Sequence, residues 1–358
     1  MNKSDLKVYE NLPVLITGHT GFKGAWLNLW LEQIGATVSG FSLPTSPETP
    51  NLFVAAAVDE TSHSQFGDIR NIDSVLRVFE KTQPKVVFHL AAQSLVRKSY
   101  ANPLETFATN VIGTAHVLEA ARQSSTVEAV VIVTSDKCYD NQDLRQKFTE
   151  VDPMGGRDPY SASKGCAELV TAAYRQSFFS DQTLIATARA GNVVGGGDWS
   201  EDRLVPDIVR AIAAGEPSKI RNPSSTRPWQ HVLDLLSGYL SLGARLLGGD
   251  REFADGWNFG PNPDGAIPVK VLADKFVELW GDGLIVVDQE TNAPAEANYL
   301  DLDISKAQDR LGFEPKIDIN LSLEMTVDWY KKFLIDGVGA RELVLNQIDQ
   351  FSELSRRK

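Results

Sequence analysis

A tyrosine and a lysine stand four residues apart in Asp158-Pro-Tyr160-Ser-Ala-Ser-Lys164. Asp158 reads as a helix N-cap and Pro159 as the first helical residue, which puts Tyr160 and Lys164 on one helix face. A phenol is a poor base near neutral pH unless a neighbouring cation favours the phenolate, and Lys164 can supply that cation. The pair is suited to taking a proton from a hydroxyl group. A second set of chemically capable residues, Ser135-Asp136-Lys137, follows the apolar run Ala129 to Thr134. Open α/β sheets collect their ligands at such strand ends, where a carboxylic acid and an amine can exchange protons with a substrate. Taken singly, each set also fits a blander reading as a surface helix or a solvated charged turn.

A third set is Gly18-His-Thr-Gly21-Phe-Lys-Gly24, between an apolar run and a helical pattern. Glycines there permit a tight turn, close approach of a pyrophosphate and close packing of helix on sheet. The helix N-terminus adds free N–H groups and a positive dipole end. Gly18, Thr20, Gly21, Phe22, Lys23 and Gly24 are therefore the expected cradle of a dinucleotide. Asp68-Ile69 suits an adenine edge, and Leu90-Ala91-Ala92 closes another strand. Ser42-Leu43-Pro44 stands where an NAD site usually has an acidic residue for the ribose hydroxyls. No Arg or Lys replaces it, and Lys23 is the one nearby charge that could meet a 2′-phosphate. NAD is favoured for want of that cation, with NADP left open.

These groups need a frame. Pro13 to Thr17, Ala36 to Leu43, Val86 to Leu90, Ala129 to Thr134 and Leu184 to Arg189 read as strands, and Ala25 to Ile34 as a helix closed by Gly35. The alternation predicts βαβ units and a doubly wound parallel α/β sheet. Beyond Gly195-Gly-Gly-Asp-Trp199 the pattern loosens, and Arg221 to Trp229 is loop-rich. The expected division is a dinucleotide-binding part, 1–192 with 229–260, and a smaller substrate-binding part, 193–228 with 261–345.

Arg203, Arg221 and Arg227 fall in the irregular region. A guanidinium grips phosphate oxygens in a fixed bidentate geometry, so these residues are candidates for a substrate diphosphate, although each also fits a surface arginine. Asn192 follows a strand end, and His231 lies beside Arg227; both are further candidates. A chain of 358 residues is long enough for such a two-part fold. Its net charge of −12 argues against a nucleic-acid surface. No run reaches the length of a membrane span, and Met1 to Asn11 has no signal-peptide character. The two cysteines and five histidines form no metal-ligand spacing. The expectation is a cytoplasmic protein with no metal, no nucleic-acid partner and no membrane partner.

The glycine loop together with Tyr160 and Lys164 resembles the extended short-chain dehydrogenases. Ser135-Asp136-Lys137 narrows the resemblance to the nucleotide-sugar 4,6-dehydratases, with lysine in place of their glutamate. Within that group, Gly18 to Gly24, Ala92-Gln-Ser-Leu-Val-Arg97, Met154-Gly-Gly156, Gly195 to Trp199 and Arg227-Pro-Trp-Gln-His231 resemble the type acting on CDP-glucose. The likeness runs from about Val14 to Pro315. It implies a lyase that holds NAD throughout, oxidises C4 of the sugar, eliminates water across C5 and C6, and reduces C6. It implies Ser135, Asp136, Lys137, Tyr160 and Lys164 as the catalytic set, with Asp136 as acid and Lys137 as base. It adds Gln93 and Tyr299 to the substrate-binding residues and predicts a homo-oligomer, dimer or tetramer. Two positions depart: Pro44 stands where an Asp belongs, and Ala295 where a His belongs. Two other readings share the motifs. An epimerase has no use for Asp136 and Lys137 as an acid–base pair, and a non-catalytic NAD(P)-sensing protein has no use for Tyr160 and Lys164.

Overall fold

The computed structural model describes residues 6–179, 182–262, 265–288, 297 and 299–355. Its centre is a sheet of seven strands: β1 (Pro13–Thr17), β2 (Thr37–Ser42), β3 (His63–Phe66), β4 (Val86–His89), β5 (Ala129–Val133), β6 (Leu184–Ala190) and β7 (Gly256–Phe259). They lie in the order β7-β6-β5-β4-β1-β2-β3, and every pairing is parallel. Strand order reverses at β1 and β4, which opens a crevice at their carboxyl ends. This is the doubly wound α/β fold that the alternating pattern predicts.

Strands covered on both faces must be apolar throughout. Val14, Ile16, Val131 and Val133 join one apolar cluster with Trp26, Trp30 and Leu236. Leu15, Val130 and Ile132 join a second with Val75, Phe79 and Val117. The helices that supply these layers are α1 (Phe22–Ile34), α2 (Ile72–Thr82), α3 (Gly113–Gln123), α4 (Pro159–Phe178), α5 (Leu204–Ala214), α6 (Val232–Leu247), α7 (Val269–Trp280), α8 (Ile319–Leu334) and α9 (Ala340–Leu354). α1 and α6 cover the first face, and α2 and α3 the second. α1 begins three residues before its apolar periodicity does, because Gly21 already serves as its N-cap.

β3 and β7, the two edge strands, are additions to the strands expected. β3 carries the polar sequence His-Ser-Gln-Phe, and β7 is only four residues long. The loosened region contains short pairings: Val193–Val194 with Gln230–His231, Thr226–Pro228 with Ala266–Pro268, and Ser218–Ile220 with Ile285–Val287. Among the described residues no helix is long and apolar enough to cross a membrane, and no group of three His, Cys, Asp or Glu is placed to hold a metal ion.

Candidate active site

The crevice at the strand ends is a cavity of about 630 Å³. After β1 the chain turns at Gly18 with φ +79°, where a Cβ would meet the Ala91 nitrogen at 2.6 Å. A Cβ at Gly24 would stand 2.1 Å from the Gly18 carbonyl oxygen, so the first turn of α1 lies directly on the loop. No side chain caps α1 at Gly21, and its first N–H groups are left for a ligand. Uncapped donors behind a wall free of side chains fit the pyrophosphate of a dinucleotide. His19 turns the other way, with Nδ1 3.0 Å from the Ser42 hydroxyl and Nε2 3.1 Å from that of Ser64. Burial draws its pKa down to about 4, so a neutral ring braces the loop against the ends of β2 and β3. The loop's spacing carried no sign of that role.

Thr20, Phe22, Asp68, Ile69, Leu90, Ala91 and Ala92 line the same cavity. Lys23 lines the cavity with them. Burial, then the charges of Arg203 and Lys164, lower its pKa to about 7, and Asp136 and Asp198 act against them. Lys23 thus sits on the glycine loop within electrostatic reach of the catalytic residues. Arg70, two residues past Asp68, also lines the cavity, as do Ser42 and Leu43, and the sequence reading did not anticipate it. Its Nε and Nη2 fork onto the Asp68 carboxylate at 2.8 and 2.6 Å.

At the catalytic end, α4 starts as its residues predict. The Asp158 carboxylate accepts from the Ser161 N–H at 2.9 Å, and Pro159 opens the helix. Tyr160 and Lys164 are buried in the cavity wall. The Lys164 ammonium donates to the Val133 carbonyl at 3.2 Å. Burial lowers its pKa to about 8, opposed by Glu168 and Cys138. Burial pushes the Tyr160 phenol up to about 12, while a hydrogen bond with Ser135 and the charge of Arg203 pull it back. Asp136 is 2% exposed. The Ser135 hydroxyl donates to its Oδ1 at 2.9 Å, and its Oδ2 has no partner. A Cβ on Gly191 would stand 2.8 Å from that Oδ2, so the glycine makes room for it. Burial raises the Asp136 pKa to about 6 against the pull of Lys137, Ser135 and Arg227. The group is thus an acid that holds its proton close to neutral pH. Lys137 follows it, half-buried, in the same wall.

Gln93, Asn192, Arg203, Arg221 and Arg227 also line the cavity. The Gln93 amide braces its own loop, donating to Leu95 and Thr106 and accepting from the Leu95 N–H. Arg203 donates to Asp198 at 3.0 Å and to Ser94 at 3.1 Å. Arg221 donates to Asp202 at 2.8 Å, with Arg97 3.9 Å from the same oxygen. These aspartates neutralise the arginines that an anionic substrate would contact, and Arg97, Asp198 and Asp202 were not anticipated. His231 and Tyr299 are not brought to the wall. His231 is fully buried at the start of α6, where Nδ1 accepts from the Leu233 N–H. The Tyr299 hydroxyl lies 3.4 Å from Asp301. Ala295 lies outside the described residues.

A nucleotide cradle leading to a buried Tyr–Lys pair and an acid–base turn defines a short-chain dehydrogenase-type enzyme of the sugar-nucleotide class. The family described as GDP-mannose 4,6-dehydratase matches residues 15–255, and the chain belongs to it. Within that family it is similar to the CDP-glucose 4,6-dehydratase of Salmonella typhimurium, 46% identical over 92% of this chain and 93% of that protein. The dTDP-glucose 4,6-dehydratase of Xanthomonas campestris is 27% identical over 88% of this chain and 92% of its own. Among solved structures, the epimerase Mth375 of Methanothermobacter thermautotrophicus superposes with a TM-score of 0.79, at 27% identity over 92% of this chain and 95% of its own. A dTDP-glucose 4,6-dehydratase from Streptomyces venezuelae, solved with NAD bound, gives 0.75 at 25% identity, over 89% of this chain and 97% of its own.

Proposed function

We propose that the protein is an NAD-dependent CDP-glucose 4,6-dehydratase, a hydro-lyase that converts CDP-D-glucose to CDP-4-keto-6-deoxy-D-glucose and water. The observation that carries this reading is Asp136: a buried acid with an unpartnered oxygen, beside Tyr160 in the cavity that holds the glycine loop. The nucleotide assignment draws on the likeness to the Salmonella enzyme. Residues 193–228 and 261–345 are inferred to form the substrate-binding part. Assembly into dimers or tetramers rests on the family resemblance, and a cytoplasmic location on the composition and cysteine spacing of the sequence.

Gly18, Thr20, Gly21, Phe22, Lys23 and Gly24 would hold the dinucleotide pyrophosphate, with Asp68 and Ile69 toward the adenine. Bound NAD would supply a reversible hydride acceptor and a positive charge that favours the phenolate. Tyr160 takes the C4 hydroxyl proton, and the resulting ketone makes the C5 hydrogen acidic. Lys137 removes that hydrogen as Asp136 protonates the departing C6 hydroxyl, which leaves as water. Lys137 then returns the proton to C5 as C6 receives the hydride taken from C4. The Ser135 hydroxyl donates to Asp136 Oδ1 at 2.9 Å and stands near enough to the Tyr160 phenol to hold its pKa down. It gives the proton collected by Tyr160 a path back to Asp136, so that both groups end as they began. Arg203, Arg221 and Arg227 would take the diphosphate in competition with Asp198 and Asp202.

An epimerase needs Tyr160 and Lys164 but no acid for a leaving hydroxyl, and the burial of Asp136 would then only destabilise the fold. The test is incubation with CDP-, UDP-, GDP- and dTDP-glucose followed by mass spectrometry. Loss of water from CDP-glucose first and fastest is the expected result. Unchanged mass with all four would refute the dehydratase reading.

A further inference from the structure

Behind the acid–base turn lies a buried polar cluster that the reaction above does not use. Glu168 follows Lys164 by four residues and Tyr160 by eight on α4, so the three share a helix face. Its Oε1 accepts from the Thr134 hydroxyl, and its Oε2 accepts from the Thr187 hydroxyl at 2.7 Å and the Arg189 guanidinium at 2.8 Å. The Arg189 and Glu168 side chains are 7% and 4% exposed. Arg189 also donates to the Tyr139 hydroxyl at 2.8 Å, and that hydroxyl donates to the Asn258 carboxamide oxygen at 2.6 Å. Thr134 and Tyr139 are the two ends of the segment that carries Ser135, Asp136 and Lys137. One ion pair thus grips the turn from both sides.

A buried ion pair is a poor source of stability, because removing two charges from water offsets most of their attraction. What the pair supplies well is direction: a saturated carboxylate fixes its donors in place. We propose that Glu168, held by Arg189, is a positioning residue that sets the geometry of the Ser135–Lys137 turn through Thr134 and Tyr139. The inference rests on the dehydratase reading. Tyr160 and Lys164 are carried by α4 itself, whereas Asp136 and Lys137 depend on the anchors at the ends of their turn. Loosening an anchor should therefore slow elimination more than C4 oxidation.

Glu168→Gln would leave Arg189 buried beside a neutral partner and could prevent folding, so the decisive variants are at Thr134. Thr134→Val removes the hydroxyl, keeps the shape and leaves the ion pair intact; Thr134→Ser restores the hydroxyl. Misplacement of reacting groups by about 1 Å costs on the order of 10²-fold. Thr134→Val should thus exchange the C5 hydrogen with solvent deuterium about 10- to 100-fold more slowly than wild type. Its KM for CDP-glucose and its single-turnover formation of reduced cofactor should stay within about three-fold, and Thr134→Ser should recover exchange. Exchange at the wild-type rate in Thr134→Val, equal loss of both steps, or no recovery in Thr134→Ser would each overturn the inference. A wild-type protein that neither oxidises nor dehydrates CDP-glucose would overturn the functional reading, and the inference with it.

Discussion

Replacing Asp136 with asparagine should make the protein more stable at neutral pH while abolishing dehydration. Burial raises this carboxyl from its ordinary 3.8 to about 6, so the folded state holds the proton more tightly than the unfolded chain does. Between those two values the folded state binds more protons, and stability falls as pH rises. The penalty is full above about pH 6 and absent well below 3.8. A difference of about two units at 1.36 kcal/mol each amounts to about 3 kcal/mol. Asparagine carries no such penalty, although its amide must fit where Oδ2 now stands without a partner. That packing cost does not vary with pH, so comparing two pH values cancels it. Urea melts of wild type and Asp136→Asn at about pH 4 and about pH 8 should show the variant gaining roughly 2 kcal/mol on wild type across the interval. A difference that stays constant with pH would mean that Asp136 is not a buried, proton-holding acid, and its assigned role would fall.

Tyr160→Phe keeps the ring but removes the proton acceptor, so turnover should drop by on the order of 10²–10⁴-fold with CDP-glucose still bound, as titration calorimetry would show; near-normal turnover would acquit the tyrosine. Lys137→Met should still oxidise C4, seen as trapped absorbance of reduced cofactor, but should not exchange the C5 hydrogen with deuterated solvent; exchange at the wild-type rate would move the base elsewhere. The apoprotein should bind NAD more tightly than NADP, because Asp68 already engages Arg70. Tighter binding of NADP, lost in Arg70→Ala, would show that the guanidinium is free to take a 2′-phosphate.

Much of this was legible before the fold was seen, where residue pattern and local structure coincide. β1, β4 and β5 are nearly continuous apolar runs because both faces are covered, β6 is such a run broken by Thr187 and Arg189, and α4 announces its start through Asp158 and Pro159. The glycine loop and the Tyr160–Lys164 spacing are local features, and the fold brings both to one cavity together with Ser135, Asp136 and Lys137. Less was legible where a role depends on chain segments far apart. Arg70 follows β3, an edge strand too polar to stand out, so its approach to the cofactor end left no local trace. Lys23 reads as a charge for the cofactor from its neighbours in sequence, and nothing local shows that Arg203, Lys164 and Asp136 also act on it electrostatically. His231 sits among motif residues, but the helix that begins after it uses its ring as a buried cap. Glu168 reads as an ordinary helical acid until Thr187 and Arg189 of β6 and Thr134, just past β5, converge on it.

In the proposed reaction one cavity oxidises, dehydrates and reduces the same sugar without releasing the hydride. CDP-glucose carrying deuterium at C4 tests this directly. The expected product is lighter by one water, with the deuterium recovered in the C6 methyl group. Deuterium remaining at C4 of a sugar of unchanged mass, whether inverted or not, would contradict it.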